Sequence, residues 1–289
     1  MKKAILYSVY FLLAAAVFLY ALFPGKTVKS LIEAGAARSL PGVDFMVEKV
    51  KPSLPFSVRL VGVRAAKGGE KLFSAESVRV TPHILRFLTG GWGFSAVTRA
   101  YGGRIEVSAD GKKRLAASPL SAKIGLSEVE TKDFGLLNRS FGFPVSGTLS
   151  TDIVFSGPAT DWTKGEGSAK LALSAGKLLF MPEVVGPAGL SVESLSAEFL
   201  LQKEELSFKR FELSGPEAGA TLSGSIFLKR PLEASRLNLE GRLSPTPAFF
   251  RRLGSRSAAA VFLKTKEGSS GGLGFTLSGT AGDEQVGFK

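Results

Sequence analysis

The chain has 289 residues, 44% of them hydrophobic and 21% charged, so it can bury a core and is not disordered throughout. It contains no cysteine, which excludes disulfides and thiolate metal ligands. The net charge is +12, but the basic residues are scattered singly or in small clusters such as Lys112-Lys113-Arg114 and Arg251-Arg252, which speaks against a nucleic-acid partner.

Residues 1–25 read as an N-terminal transmembrane anchor. Met1-Lys2-Lys3 precedes an uncharged run from Ala4 to Phe23, closed by Pro24-Gly25. At about 1.5 Å per residue the run makes about 30 Å of helix, the thickness of a bilayer's hydrocarbon core and more than a signal peptide needs. Ala14-Ala15-Ala16 and Tyr20-Ala21 supply small residues where a signal peptidase could cut, but a retained span is the expectation. Lys2 and Lys3 keep the N-terminus in the cytoplasm, so the remainder is expected to be exported. A cysteine-free exported domain fits a Gram-negative periplasm, and beside a membrane the natural counterpart of the basic residues is anionic lipid headgroups.

Residues 26–40 carry Val28, Leu31, Ile32, Ala36 and Leu40 at three- to four-residue spacing, which predicts a short amphipathic helix. It can lie on the membrane with Lys26, Lys29 and Arg38 toward headgroups, or cap the end of a sheet. From Pro41 the period changes to two, and residues 41–289 form one β-rich domain. The alternation is clear in Val43, Phe45, Val47; in Leu120 to Leu126; in Leu149 to Phe155; in Leu195 to Leu201; in Ala220 to Leu228; in Leu237 to Leu243; and in Leu273 to Gly279. Between Leu206 and Leu213 the apolar set slips from even to odd positions, so a bulge or turn is expected near Lys209-Arg210. Pro82 to Leu88 is the only other helix candidate. Ser-Gly recurs at Ser146, Ser156, Ser214, Ser223 and Ser278 with similar offsets, an internal repeat or simply a habit of ending strands with small residues. The fold class is mainly β: after the span and the short helix comes a long antiparallel curved sheet, as an open half-barrel or sandwich-like.

Several motifs dissolve on inspection. Gly268-Ser269-Ser270-Gly271-Gly272 spells a nucleophile elbow but reads as a flexible turn, since His83 is the only histidine. Gly25-Lys26-Thr27 follows an apolar run rather than a strand, and Gly91-Trp92-Gly93-Phe94-Ser95-Ala96 reads as a glycine-rich loop. Glu204-Glu205 and Asp283-Glu284 are expected in turns as solvated charge. No catalytic residue, metal site or cofactor is expected, and the chain reads as a non-enzyme.

The stretch Leu40-Pro41-Gly42-Val43, with Val50-Lys51-Pro52-Ser53-Leu54-Pro55 and Val58 to Val63, resembles the type II secretion system protein N family, as does the layout of span, brief helix and glycine-punctuated strands. The later portion, from Ser146-Gly147-Thr148-Leu149 to Arg242-Leu243, resembles the repeated strands of AsmA-like proteins, which build open, groove-bearing sheets. The resemblance implies a single-pass bacterial inner-membrane protein whose periplasmic part works with the platform subunits of a type II secretion system, with the outer-membrane secretin as a further contact. Two functions follow. The first is a structural component of that system. The second is a carrier of membrane lipids whose acyl chains lie in an apolar groove lined by Phe199, Leu201, Leu222, Ile226, Leu239 and Phe275. A groove open to solvent along several strands favours the second, and a closed dry core the first.

Overall fold

The computed structural model describes residues 7, 10, 20, 22–53, 56–112, 119–135, 145–158, 160–178, 189–253 and 272–288. Among them no helix is long and apolar enough to cross a membrane, and of the expected span Ala4–Phe23 only Tyr7, Tyr10, Tyr20, Leu22 and Phe23 belong to the described residues.

The chain is mainly β. After α1 (Gly25–Ser39) come β1 (Asp44–Ser53), β2 (Ser57–Lys67) and β3 (Glu70–Pro82). The short α2 (Ile84–Leu88) leads into β4 (Gly91–Ala100), β5 (Gly103–Lys112), β6 (Pro119–Glu130) and β7 (Val145–Pro158). Then follow β8 (Glu166–Leu178), β9 (Leu190–Gln202), β10 (Glu205–Ser214), β11 (Ala218–Phe227) and β12 (Arg236–Pro245). The helix α3 (Pro247–Leu253), β13 (Leu273–Thr280) and β14 (Asp283–Phe288) complete the order. All fourteen strands belong to one sheet in sequence order, with β1 and β14 at the two ends of that order. Every described register is antiparallel, as tight connections between neighbours require.

Two compact units divide the chain: Met1–Pro82 with Ala96–Arg99, and His83–Ser95 with Ala100–Lys289. In the first, Val47 faces Val63 and Val50 faces Leu60 across β1 and β2, and these four form a buried cluster. Phe23, Val28 and Ile32 pack against it, with Phe45, Val58, Phe73, Val78 and Val80 around them. So α1 caps the sheet through the Val28–Ile32 side predicted from its spacing, while Leu31 of the same set is exposed. The cap is polar as well as apolar: Val47 N–H donates to Glu33 Oε1 at 3.0 Å, giving a strand amide a partner from the helix. Gly25 opens the helix because a Cβ there would come 2.6 Å from Val50 O. The alternative orientation, with Lys26, Lys29 and Arg38 on headgroups, is not needed to account for the helix.

Three expectations are corrected. Gly91 to Ala96 is no loop but the start of β4. Its glycines serve close approach within a strand: a Cβ on Gly91 would come 2.8 Å from Gly111 O, and one on Gly93 would overlap the Asp110 carboxylate. The turn between β9 and β10 is Lys203-Glu204, both at positive φ, so Glu205 already belongs to β10; likewise Asp283-Glu284 opens β14. A third helix, α3, went unpredicted although Thr246-Pro247 is a legible start signal, with proline at the first helical position. Of the elbow-like run, only Gly272 lies within the described residues.

Replacing Glu33 with alanine leaves the Val47 amide without its side-chain acceptor. We expect a loss of about 1–3 kcal/mol in chemical denaturation and faster hydrogen exchange at Val47, with Glu33→Gln closer to the parent.

Candidate functional site

In the second unit the period-two alternation of β6 to β14 becomes one apolar face. Its rows can be followed strand by strand through the registers. One runs Phe155, Gly167, Leu201, Leu206, Ile226, Leu237, Gly279 and ends on β14 with Glu284. The next runs Ile153, Ala169, Phe199, Phe208, Gly224, Leu239, Leu277, Val286. A third contains Leu171, Ala197 and Phe211, and on the far side of a bulge Leu222, Gly241, Phe275 and Phe288. All six residues predicted to line a groove therefore lie on the same face, two in each row.

The bulge that keeps this face intact sits where the slip in β10 predicted it. Pairing with β9 steps from Phe208–Phe199 to Arg210–Glu198, skipping Lys209, and pairing with β11 steps from Phe208–Gly224 to Glu212–Thr221. The extra residue returns Phe211 and Leu213 to the side occupied by Leu206 and Phe208; without it the second half of the strand would turn its apolar groups over. Phe199 and Phe208 meet edge to face with centroids 4.9 Å apart. Phe275 lies across Gly241, where a Cβ would overlap its ring.

Leu201 and Leu239 are buried, whereas Phe199, Leu222, Ile226 and Phe275 are half-buried. The rows end on β14 with Val286 and Phe288 exposed. The described helices of this unit, α2 and α3, have five and seven residues, too short to lie across nine strands. The face is apolar, continuous and incompletely covered by the described residues.

The opposite face is polar. Around the bulge Ser194, Ser196, Glu212, Thr221, Arg242 and Ser244 line an open recess of about 340 Å³. Arg210 Nη2 donates to Glu212 Oε2 at 2.7 Å; this hydrogen bond, aided by the guanidinium charge, holds the Glu212 carboxyl below its usual value. His83 is elsewhere, with Nδ1 2.8 Å from Asp110 Oδ1. Among the described residues no group of three His, Asp or Glu side chains could hold a metal ion.

One loop contact ties distant strands of this unit together. Arg230, between β11 and β12, places Nε 3.3 Å from Asp161 Oδ1 and donates from Nη1 to Thr160 O at 3.3 Å, between β7 and β8. Asp161 also accepts from Thr163 Oγ1 at 2.6 Å and faces Lys164 Nζ at 3.7 Å. The connections thus meet past the ends of β8 to β11. The Thr163 hydrogen bond is the largest cause of the lowered Asp161 pKa; desolvation, second in size, opposes it, and Arg230 and then Lys164 add to the lowering.

No protein-family model, curated protein or solved structure matches this chain.

Because the folded pKa of Asp161 lies below its unfolded value, the loop tie is complete above the ordinary carboxylate range and is lost as pH falls through the depressed folded value. We expect the Arg230 Nε–H resonance to shift on acid titration with the Asp161 carboxyl, and Asp161→Asn to show the released position already at neutral pH.

Proposed function

We propose that this chain is a non-enzymatic, membrane-anchored β protein whose second unit shelters the acyl chains of membrane lipids along the apolar face of β6 to β14. The observation that carries the reading is the continuity of that face with its incomplete cover by the described residues: Phe199, Leu222, Ile226 and Phe275 stay half-buried, and the charge of Glu284 enters only at the β14 end of one row. Each CH₂ moved from water to such a surface is worth about 0.8 kcal/mol, so a full acyl chain gains on the order of 10 kcal/mol. On this reading Ala4–Phe23 holds the protein in the bacterial inner membrane, N-terminus in the cytoplasm and β strands in the periplasm.

The test is native mass spectrometry with lipid extraction on the full chain. Phe199→Asp combined with Leu222→Asp should lower the co-purified phospholipid while strand content by circular dichroism is kept. Undiminished lipid in the folded double variant rejects the assignment of the face.

A second reading, a structural component of a type II secretion system that contacts its platform subunits or the outer-membrane secretin, rests on the resemblance of Leu40 to Val63 and on the state of β14. All six residues of this last strand are exposed, whereas on β1 the Val47 amide donates to the Glu33 carboxylate of α1. An exposed terminal strand is a template for strand addition by a partner. On this reading Val286→Lys, which places a charge on the strand without touching the core, should reduce secretion of the system's substrates in a complementation assay; unchanged secretion removes β14 as the contact.

A further inference from the structure

The helix α2 is turned inside out. At about 100° per residue, Ile84, Leu85, Phe87 and Leu88 share one arc of about 160°, with Arg86 on the opposite side. A surface helix ordinarily turns its apolar arc inward. Here no residue is buried, and only the guanidinium of the exposed Arg86 reaches back to the protein: Arg86 Nε lies 3.5 Å from Asp110 Oδ1, the oxygen that also meets His83 Nδ1. The four apolar residues face out, exposed by 43, 79, 55 and 78% in chain order. Nor is this a frayed segment. His83 N–H donates to Gly93 O at 2.9 Å, which ties the entry to the helix to β4, and the Thr89 hydroxyl donates to Arg86 O at 3.0 Å, which closes its last turn.

The registers place further exposed apolar groups at the same end of this unit. Gly91, which follows α2, abuts Gly111; Gly111 pairs with Leu120, Leu120 with Gly157, Ser156 with Glu166, and Gly167 with Leu201. Glu205 then pairs with Gln202 and Phe227, and Phe227 with Arg236. Along this rim Trp162, Phe227 and Leu232 are exposed by 42 to 47%, and Lys112, Lys164 and Lys229 are exposed between them, as are Glu166, Glu205 and Glu233.

We propose that this end of the second unit docks on a lipid bilayer, with Ile84, Leu85, Phe87 and Leu88 seated at the headgroup–acyl boundary and the rim lysines among the headgroups. Apolar side chains pointing outward find in a bilayer the medium that water denies them, and aliphatic and aromatic residues set at one level among charges of both signs suit the boundary between acyl chains and zwitterionic headgroups. The exposed groups are strung along a rim of strand ends, an arrangement that a bilayer surface can meet. The inference concerns docking and stands whether or not the apolar face holds a guest.

Since the chain has no cysteine, Leu85→Cys and Lys123→Cys each introduce a unique thiol for an environment-sensitive fluorophore, one on α2 and one on the polar side of β6. The labelled full chains are reconstituted in vesicles of phosphatidylethanolamine and phosphatidylglycerol. We expect a blue shift and quenching by acyl-chain nitroxide at position 85, neither at 123, and loss of both signals at 85 when Phe87 and Leu88 become aspartate. A probe at 85 that stays as open to aqueous iodide as that at 123 overturns the proposal. So does equal nitroxide quenching at both positions, which would mean contact without a docking end, or a shift at 85 that appears only when a second protein is added.

Discussion

Away from the outer edges of β1 and β14, the backbone N–H and C=O groups of the sheet find their partners on strands next to them in sequence, and everything else in the molecule adjusts to that condition. Once the pairing is antiparallel and neighbour to neighbour, the side chains of alternate residues stand on one side across the whole run of strands. A one-residue error anywhere would invert every strand's contribution beyond it. The bulge at Lys209 is the molecule's answer to an insertion in β10: it accepts one unpaired residue so that Leu206, Phe208, Phe211 and Leu213 remain on a common side.

The same condition explains why the two units solve their burial problem differently. In the first, a helix of fifteen residues is available, and α1 gives its Val28 and Ile32 to the cluster around Val47 and Val63 while Glu33 takes up a strand amide. In the second, the described helices are too short for that task. One of them, α2, spends its polar side on Asp110 and leaves its apolar side outside. Greasy surface is therefore present in two places of different character: spread over a sheet, where neighbouring side chains half cover it, and concentrated on a five-residue knob, where nothing among the described residues does.

Most of the strands were legible because period two is a direct imprint of pleating, and the common side of Phe199, Leu201, Leu222, Ile226, Leu239 and Phe275 follows from parity alone once neighbours pair. The bulge was legible for the same reason, as a break in parity. What stayed hidden depends on approach in space. Gly91 and Gly93 look like loop formers by composition, and only the nearness of Gly111 and Asp110 makes them strand residues. The pairing of His83 with Asp110 spans 27 residues and that of Arg230 with Thr160 spans 70, and no local pattern announces either. How far the apolar face is covered is likewise invisible to periodicity, which reports which side a residue takes but not what lies above it.

The neighbour-only strand order has a consequence for how the chain acquires its structure and how it can vary. A strand that pairs with the one just before it closes a short loop and waits for nothing distant, so contact order stays low for a β protein and assembly can advance hairpin by hairpin as the chain emerges. Such an architecture behaves as a linear array in which each element answers only to the two beside it. Loss or gain of a whole hairpin leaves every remaining register and side unchanged, whereas loss of a single internal strand reverses the direction of all that follow. Length is thus the freest variable of this sheet, in steps of two strands.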